Sequence, residues 1–121
     1  MEALVLCYFD NFKGPRITNV LNLDNIGTPV KLPPKVRKEI EKLIDTQTEE
    51  GFFTYGFKTY TTANFYFEIP SDLARGKREI LCLSVLTHSR KPELFKETLI
   101  RGAQRFKVIP NLYKAFHGEK E

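Results

Sequence analysis

The chain is 121 residues long, 41% hydrophobic, with a formal net charge of +4. This is the length and apolar content of a single domain spanning 1–121, and it excludes a disordered tail and a polytopic membrane protein. The cations are scattered and interrupted by acids, which argues against a nucleic-acid binder, and no apolar run approaches the roughly 20 residues that span a bilayer.

The N-terminal "MEALVLCYFD" has an acidic second residue and only a short apolar stretch, so it does not read as a signal peptide. The expectation is a cytoplasmic chain with no membrane insertion. Residues 3–9 form a nearly continuous apolar run, the mark of a strand buried on both faces. "DNFKGPR" turns the chain with Asp10, Asn11, Gly14 and Pro15. A second strand follows at 16–22, with Ile17, Val20 and Leu21 as its apolar positions. The stretch "LDNIGTPVKLPP" breaks regular structure. Pro34 then opens a helix to about residue 47. Its Val36, Ile40, Leu43 and Ile44 fall on one stripe of an otherwise charged surface.

Two aromatic strands come next, at 52–59 and 61–69. Phe53, Tyr55 and Phe57 share one side of the first, and Ala63, Phe65, Phe67 and Ile69 share one side of the second. A last strand at 79–87 is again apolar on both faces. Pro92 opens a second helix with Phe95, Leu99, Gly102 and Phe106 as its buried stripe; Pro110 ends it, and a short turn runs from 111 to 116. The order β-β-α-β-β-β-α-α belongs to the α/β (α+β) class. Central strands apolar on both faces require helices on both faces of the sheet.

Self-contained catalysis has no visible basis. No phosphate-binding glycine loop is present, His88 and His117 stand alone, and the carboxylates form no acid–base pair. Cys7 and Cys82 lie within apolar strands and read as buried thiols rather than metal ligands or a disulfide. No metal or cofactor is expected.

The loop at 70–78 is the exception to an ordinary domain. A hairpin needs about 2–5 residues to turn, and this connection is longer. Ser71 or Asp72 suits the cap of a short helical turn, Leu73 and Ala74 would anchor it, and Gly76 lets the chain turn back. Arg75 would then project from a fixed base, with Lys77 and Arg78 beside it. An exposed guanidinium on a firm platform is what a trans-acting arginine finger requires, since its planar fork neutralises developing phosphoryl charge. The competing reading is a basic, solvated surface loop.

The order of elements resembles the longin (profilin-like) fold of trafficking and GTPase-regulating proteins, and two stretches sharpen the likeness. "YFDNFKGPR" at 8–16 is similar to the first hairpin of the folliculin longin domain, and "SDLARG" at 71–76 is similar to that family's D-S-L-A-R-G loop. Leu73, Ala74, Arg75 and Gly76 coincide with the loop motif, and Arg78 with a second arginine of the loop. Ser71 and Asp72 stand in the reverse order, and Lys77 replaces an aromatic residue. The likeness extends to small stand-alone longin proteins of archaea.

The resemblance implies a five-stranded mixed sheet in the order 2-1-5-4-3. It implies regulation of a small GTPase, Rag- or Arf-like, with Arg75 as the catalytic finger; Leu73, Gly76 and Arg78, which match the motif, and Lys77 beside them are the expected binding residues. It also implies membrane recruitment through a partner. A non-catalytic interaction module is the alternative. Either reading expects a homodimer, or a heterodimer with a longin- or roadblock-type chain, through the strand at 52–59 or the helix before it.

Overall fold

Strands β1 (Ala3–Asp10) and β5 (Arg78–Thr87) lie side by side in the middle of a five-stranded sheet. A computed structural model describes residues 2–25, 28–73 and 75–117, with the backbone alone for Arg75 and His117. The remaining strands are β2 (Gly14–Asn22), β3 (Gly51–Gly56) and β4 (Thr61–Pro70), and the order across the sheet is β2-β1-β5-β4-β3. The order and the α+β class match the sequence expectation, but the sheet is antiparallel throughout rather than mixed. The β1–β2, β3–β4 and β4–β5 connections are too short for a crossover, so those pairs must be antiparallel. Only β1–β5 was free to run parallel, and it too pairs antiparallel, from Ala3 opposite Leu86 to Tyr8 opposite Leu81.

Alternation along the central strands divides the core in two. Val5, Cys7, Cys82 and Leu86 face one side, where α1 (Pro34–Glu41) and the tighter 3₁₀ turn Lys42–Thr46 supply Ile40, Leu43 and Ile44. Leu6, Tyr8, Leu81, Leu83 and Val85 face the other side, against Leu99 and Ala103 of α2 (Lys96–Lys107). Val36 on α1, and Phe95 and Phe106 around α2, are partly buried at the margins of these layers. Each fully buried large aliphatic or aromatic side chain contributes about 1.5–3 kcal/mol relative to exposure, so neither helix is dispensable.

The helix ends differ from the sequence expectation in detail. Pro33 enters α1 in an extended conformation, with Pro34 in its first turn, and the last part of the expected helix is the 3₁₀ segment. Pro92 opens a 3₁₀ turn, Pro92–Phe95, before α2 begins. Ala103, not Gly102, takes the fully buried position. Gly102 instead lies against the sheet, where an added Cβ would stand 2.9 Å from Leu83 Cδ2. A short α3, Lys114–His117, follows the break at Pro110.

Cys7 and Cys82 are buried free thiols directly opposite one another on β1 and β5. Burial is the main cause that pushes the Cys82 thiol up to about 12 and the Cys7 thiol well above its ordinary range. Both are therefore core residues held as neutral thiols.

Because the two layers are separated by the sheet, Ile40→Ala and Leu99→Ala should act independently. Each should cost about 2–5 kcal/mol, and the double variant should lose their sum within about 0.5 kcal/mol. Urea denaturation of the four chains checks this.

Candidate functional site: the loop end of the sheet

β4 and β5 remain paired as far as Pro70 opposite Arg78, so the free loop is 71–77. Its neck is closed by polar bonds. The Ser71 N–H donates to the Lys77 carbonyl at 2.9 Å, and the Leu73 N–H donates to Ser71 Oγ at 3.1 Å. Ser71 Oγ donates in turn to Glu79 Oε2 at 2.5 Å, and both side chains are buried, Glu79 being only 1% exposed. A buried carboxyl group needs hydrogen-bond partners, so Ser71 and Glu79 hold each other in place. Asp72 is tied to the α3 end of the chain, where the Tyr113 hydroxyl donates to its carboxylate at 3.1 Å.

Above this neck, Arg75 begins a single 3₁₀ turn, Arg75–Lys77. Gly76 (φ 77°) and Lys77 (φ 65°) both take left-handed backbone conformations. The glycine adopts this without a Cβ clash, while the lysine carries a penalty of about 1–2 kcal/mol. The loop thus turns back sharply immediately after Arg75.

The first hairpin meets this loop at the same end of the sheet. The Tyr8–Leu81 register brings the end of β1 beside the start of β5. Tyr8 donates its hydroxyl to Asp10 at 2.9 Å and stacks on Phe116 with ring centroids 4.7 Å apart. Asp10 also accepts the N–H groups of Phe12 and Lys13, at 2.8 and 3.1 Å, which shapes the turn before Gly14. Burial, then the Asp10 carboxylate and the charge of Glu79, hold the Tyr8 phenol above its ordinary range. The two stretches singled out in sequence, "YFDNFKGPR" and "SDLARG", are therefore neighbours in space.

The binding residues expected from sequence fall on this surface, with one correction. Leu73 was expected to pack and anchor the loop, yet it is 55% exposed. Ser71 holds the neck instead, through its hydroxyl and its backbone. Gly76, Lys77 and Arg78 are exposed. Arg78 pairs with Glu68 at 3.3 Å across solvent-exposed side chains, an interaction of about 0–1 kcal/mol that leaves the guanidinium available. Ala74 and the Arg75 side chain lie outside the described residues, and with them the expectations that Ala74 packs and Arg75 is exposed.

Grooves flank the loop on two sides. One, of about 310 Å³, is lined by Glu50, Glu68, Pro70, Lys77 and Arg78. The other, of about 240 Å³, lies between Ser71 and Asp72 on one wall and Val108, Ile109 and Tyr113 on the other. Among the described residues no group of three or more His, Cys, Asp or Glu side chains is placed to hold a metal ion. His88 is a surface residue, its Nδ1 3.1 Å from the Thr59 carbonyl oxygen.

Sequence reasoning missed Ser71 as a buried brace, along with Glu79, Asp10 and Tyr113 as its surroundings. Asp10 was legible only as a turn former, and Glu79 only as the first residue of a strand. Neither one-dimensional role signals a buried polar contact. No protein-family model matches the chain, and no curated protein matches it.

Ser71→Ala should destabilise the chain by about 1–3 kcal/mol, because it removes a donor from a buried carboxylate. Gly76→Ala should cost about 1–2 kcal/mol through backbone strain alone, with Gly76→Asn milder because asparagine tolerates that conformation. Urea denaturation of the three variants, ranked against the unaltered chain, gives the test.

Proposed function

We propose that the chain is a longin-type regulator of a small GTPase, Rag- or Arf-like, which stimulates hydrolysis by supplying Arg75 in trans. One observation carries the reading. The loop that bears Arg75 rises from a neck closed by the buried Ser71–Glu79 contact and by backbone bonding to Lys77. A finger inserted into another protein's active site must not spend its binding energy on ordering its own loop. Bracing at the neck removes most of that cost.

The chemistry asked of Arg75 is electrostatic. As the terminal phosphoryl group of GTP is transferred to water, charge spreads over its oxygens, and a guanidinium fork in a water-poor site stabilises that charge. Lysine presents a hydrated point charge and cannot replace the fork. Exposed Leu73 would contribute apolar contact beside the finger, Gly76 the close turn, and Lys77 and Arg78 attraction toward an acidic partner surface. No helix among the described residues is long and apolar enough to cross a membrane, so recruitment to membranes would come through a partner.

A second reading, a non-catalytic module pairing with a longin- or roadblock-type chain, is favoured by β3. This strand ends the sheet, contains no charged residue, and leaves Tyr55 46% exposed. Such an edge invites another strand.

Single-turnover GTP hydrolysis by purified small GTPases, with and without the chain, tests the first reading. The unaltered chain should accelerate a cognate GTPase by about 10³–10⁵. Arg75→Ala and Arg75→Lys should fold normally and lose most of that effect. Arg78→Ala should shift the concentration dependence more than the maximal rate. A loss of about 10-fold or less for Arg75→Ala, far below the effect of a true finger, would return the loop to a basic surface feature.

A further inference from the structure

The free edge of β3 carries enough geometry to specify what pairs with it. The Phe57 N–H donates to the directly opposite Tyr60 carbonyl at 2.8 Å. This makes 57 and 60 a hydrogen-bonded antiparallel pair, and such pairs recur at every second residue. The β3–β4 register continues without a bulge through Tyr55 opposite Thr62 and Phe53 opposite Asn64. Residues 51, 53 and 55 therefore turn their backbone groups inward to β4. Phe52, Thr54 and Gly56 turn theirs outward, to the open edge.

We infer that this edge is occupied by β3 of a second copy of the chain, related by a two-fold axis through Thr54. In that register the outward N–H and C=O groups of Thr54 bond those of its counterpart, and Phe52 of each copy lies opposite Gly56 of the other. Three features select this register from its neighbours. Gly56 has nothing within 4 Å of where a Cβ would stand, and a cross-strand aromatic ring is the side chain that covers an edge glycine. Phe53 falls opposite Tyr55 in the non-hydrogen-bonded positions where side chains approach most closely. Tyr55 already rests against Phe57, with ring centroids 4.8 Å apart, so the aromatic row continues across the axis.

The third feature is charge. Glu50, the residue before β3, and Lys58, two residues beyond it in the turn to β4, come opposite one another when this register is continued past the strand ends, and the two-fold axis makes the pairing twice. Glu50 is bound to Lys107 at 2.6 Å and remains 41% exposed, which leaves its carboxylate open to a second cation. Shifting the register by two residues in either direction puts Glu50 opposite Gly56 or Tyr60 instead. Opposite-charge and aromatic cross-strand pairs both favour the register that brings them together. β3 itself has no lysine, proline or inward charge of the kind that blunts an edge.

The inference rests on the edge-pairing part of the reading above and does not involve Arg75. Light scattering across a concentration series should find a dimer of the unaltered chain. Thr54→Pro removes an outward N–H that β4 does not use, so the fold should stay intact by circular dichroism while the dimer is lost. Lys58→Glu, in the exposed turn, should weaken dimerisation about 10-fold or more, and Glu50→Lys with Lys58→Glu should restore it. A chain that stays monomeric at every concentration, or a dimer untouched by Thr54→Pro, overturns the inference. A dimer broken by Thr54→Pro but indifferent to both charge variants overturns the register. If the chain stimulates a GTPase yet stays monomeric at every concentration, the function stands and this inference falls; a Thr54-dependent dimer that stimulates nothing gives the converse.

Discussion

Two strands buried on both faces govern everything else in this chain. β1 and β5 form the middle of the sheet, and each places apolar side chains alternately above and below it. Neither layer can be closed by the sheet alone, so one helix must cross each face. α1 lies in the connection between the outer strands β2 and β3, and α2 follows β5 on the other side. The hairpins at the edges are consequences of that arrangement. Even Gly102, which brings α2 close to Leu83, serves the second layer.

The same central pair positions the candidate site. Because β1 and β5 run antiparallel in a fixed register, the end of the first and the start of the second sit side by side. This brings the Asp10 turn next to the Ser71–Glu79 neck, with Tyr8 and Phe116 stacked beside them. A long loop on such a base is not a slack connection. Its exposed parts (Leu73, Gly76, Lys77 and Arg78) rise from a neck closed by buried polar bonds.

Much of the fold was legible in the sequence because it follows from periodicity. The continuous apolar runs at 3–9 and 79–87 announce central strands, and the stripe of Ile40 and Leu43 announces a helix that packs by one side. Strand direction was less legible. Hairpins dictate their own sense, but nothing local fixes how β1 meets β5, and the sheet proved wholly antiparallel. The loop was legible as a long connection and misread in how it is anchored. Leu73 looked like the anchor because it is the large apolar residue of the loop, whereas the anchor is Ser71, whose partner Glu79 lies across the loop's neck. A polar contact closed by tertiary structure leaves no periodic trace.

A loop braced at its neck is what the proposed insertion of Arg75 into another protein's active site requires. Aluminium fluoride with GDP mimics the transferring phosphoryl group, and an arginine finger contacts that group rather than the ground state. The most direct measurement is therefore complex formation between the chain and a GDP-loaded small GTPase, with and without aluminium fluoride. The expected result is a complex that requires aluminium fluoride and is lost in Arg75→Ala and Arg75→Lys. A complex that forms equally well without aluminium fluoride, or that survives both substitutions, would contradict it.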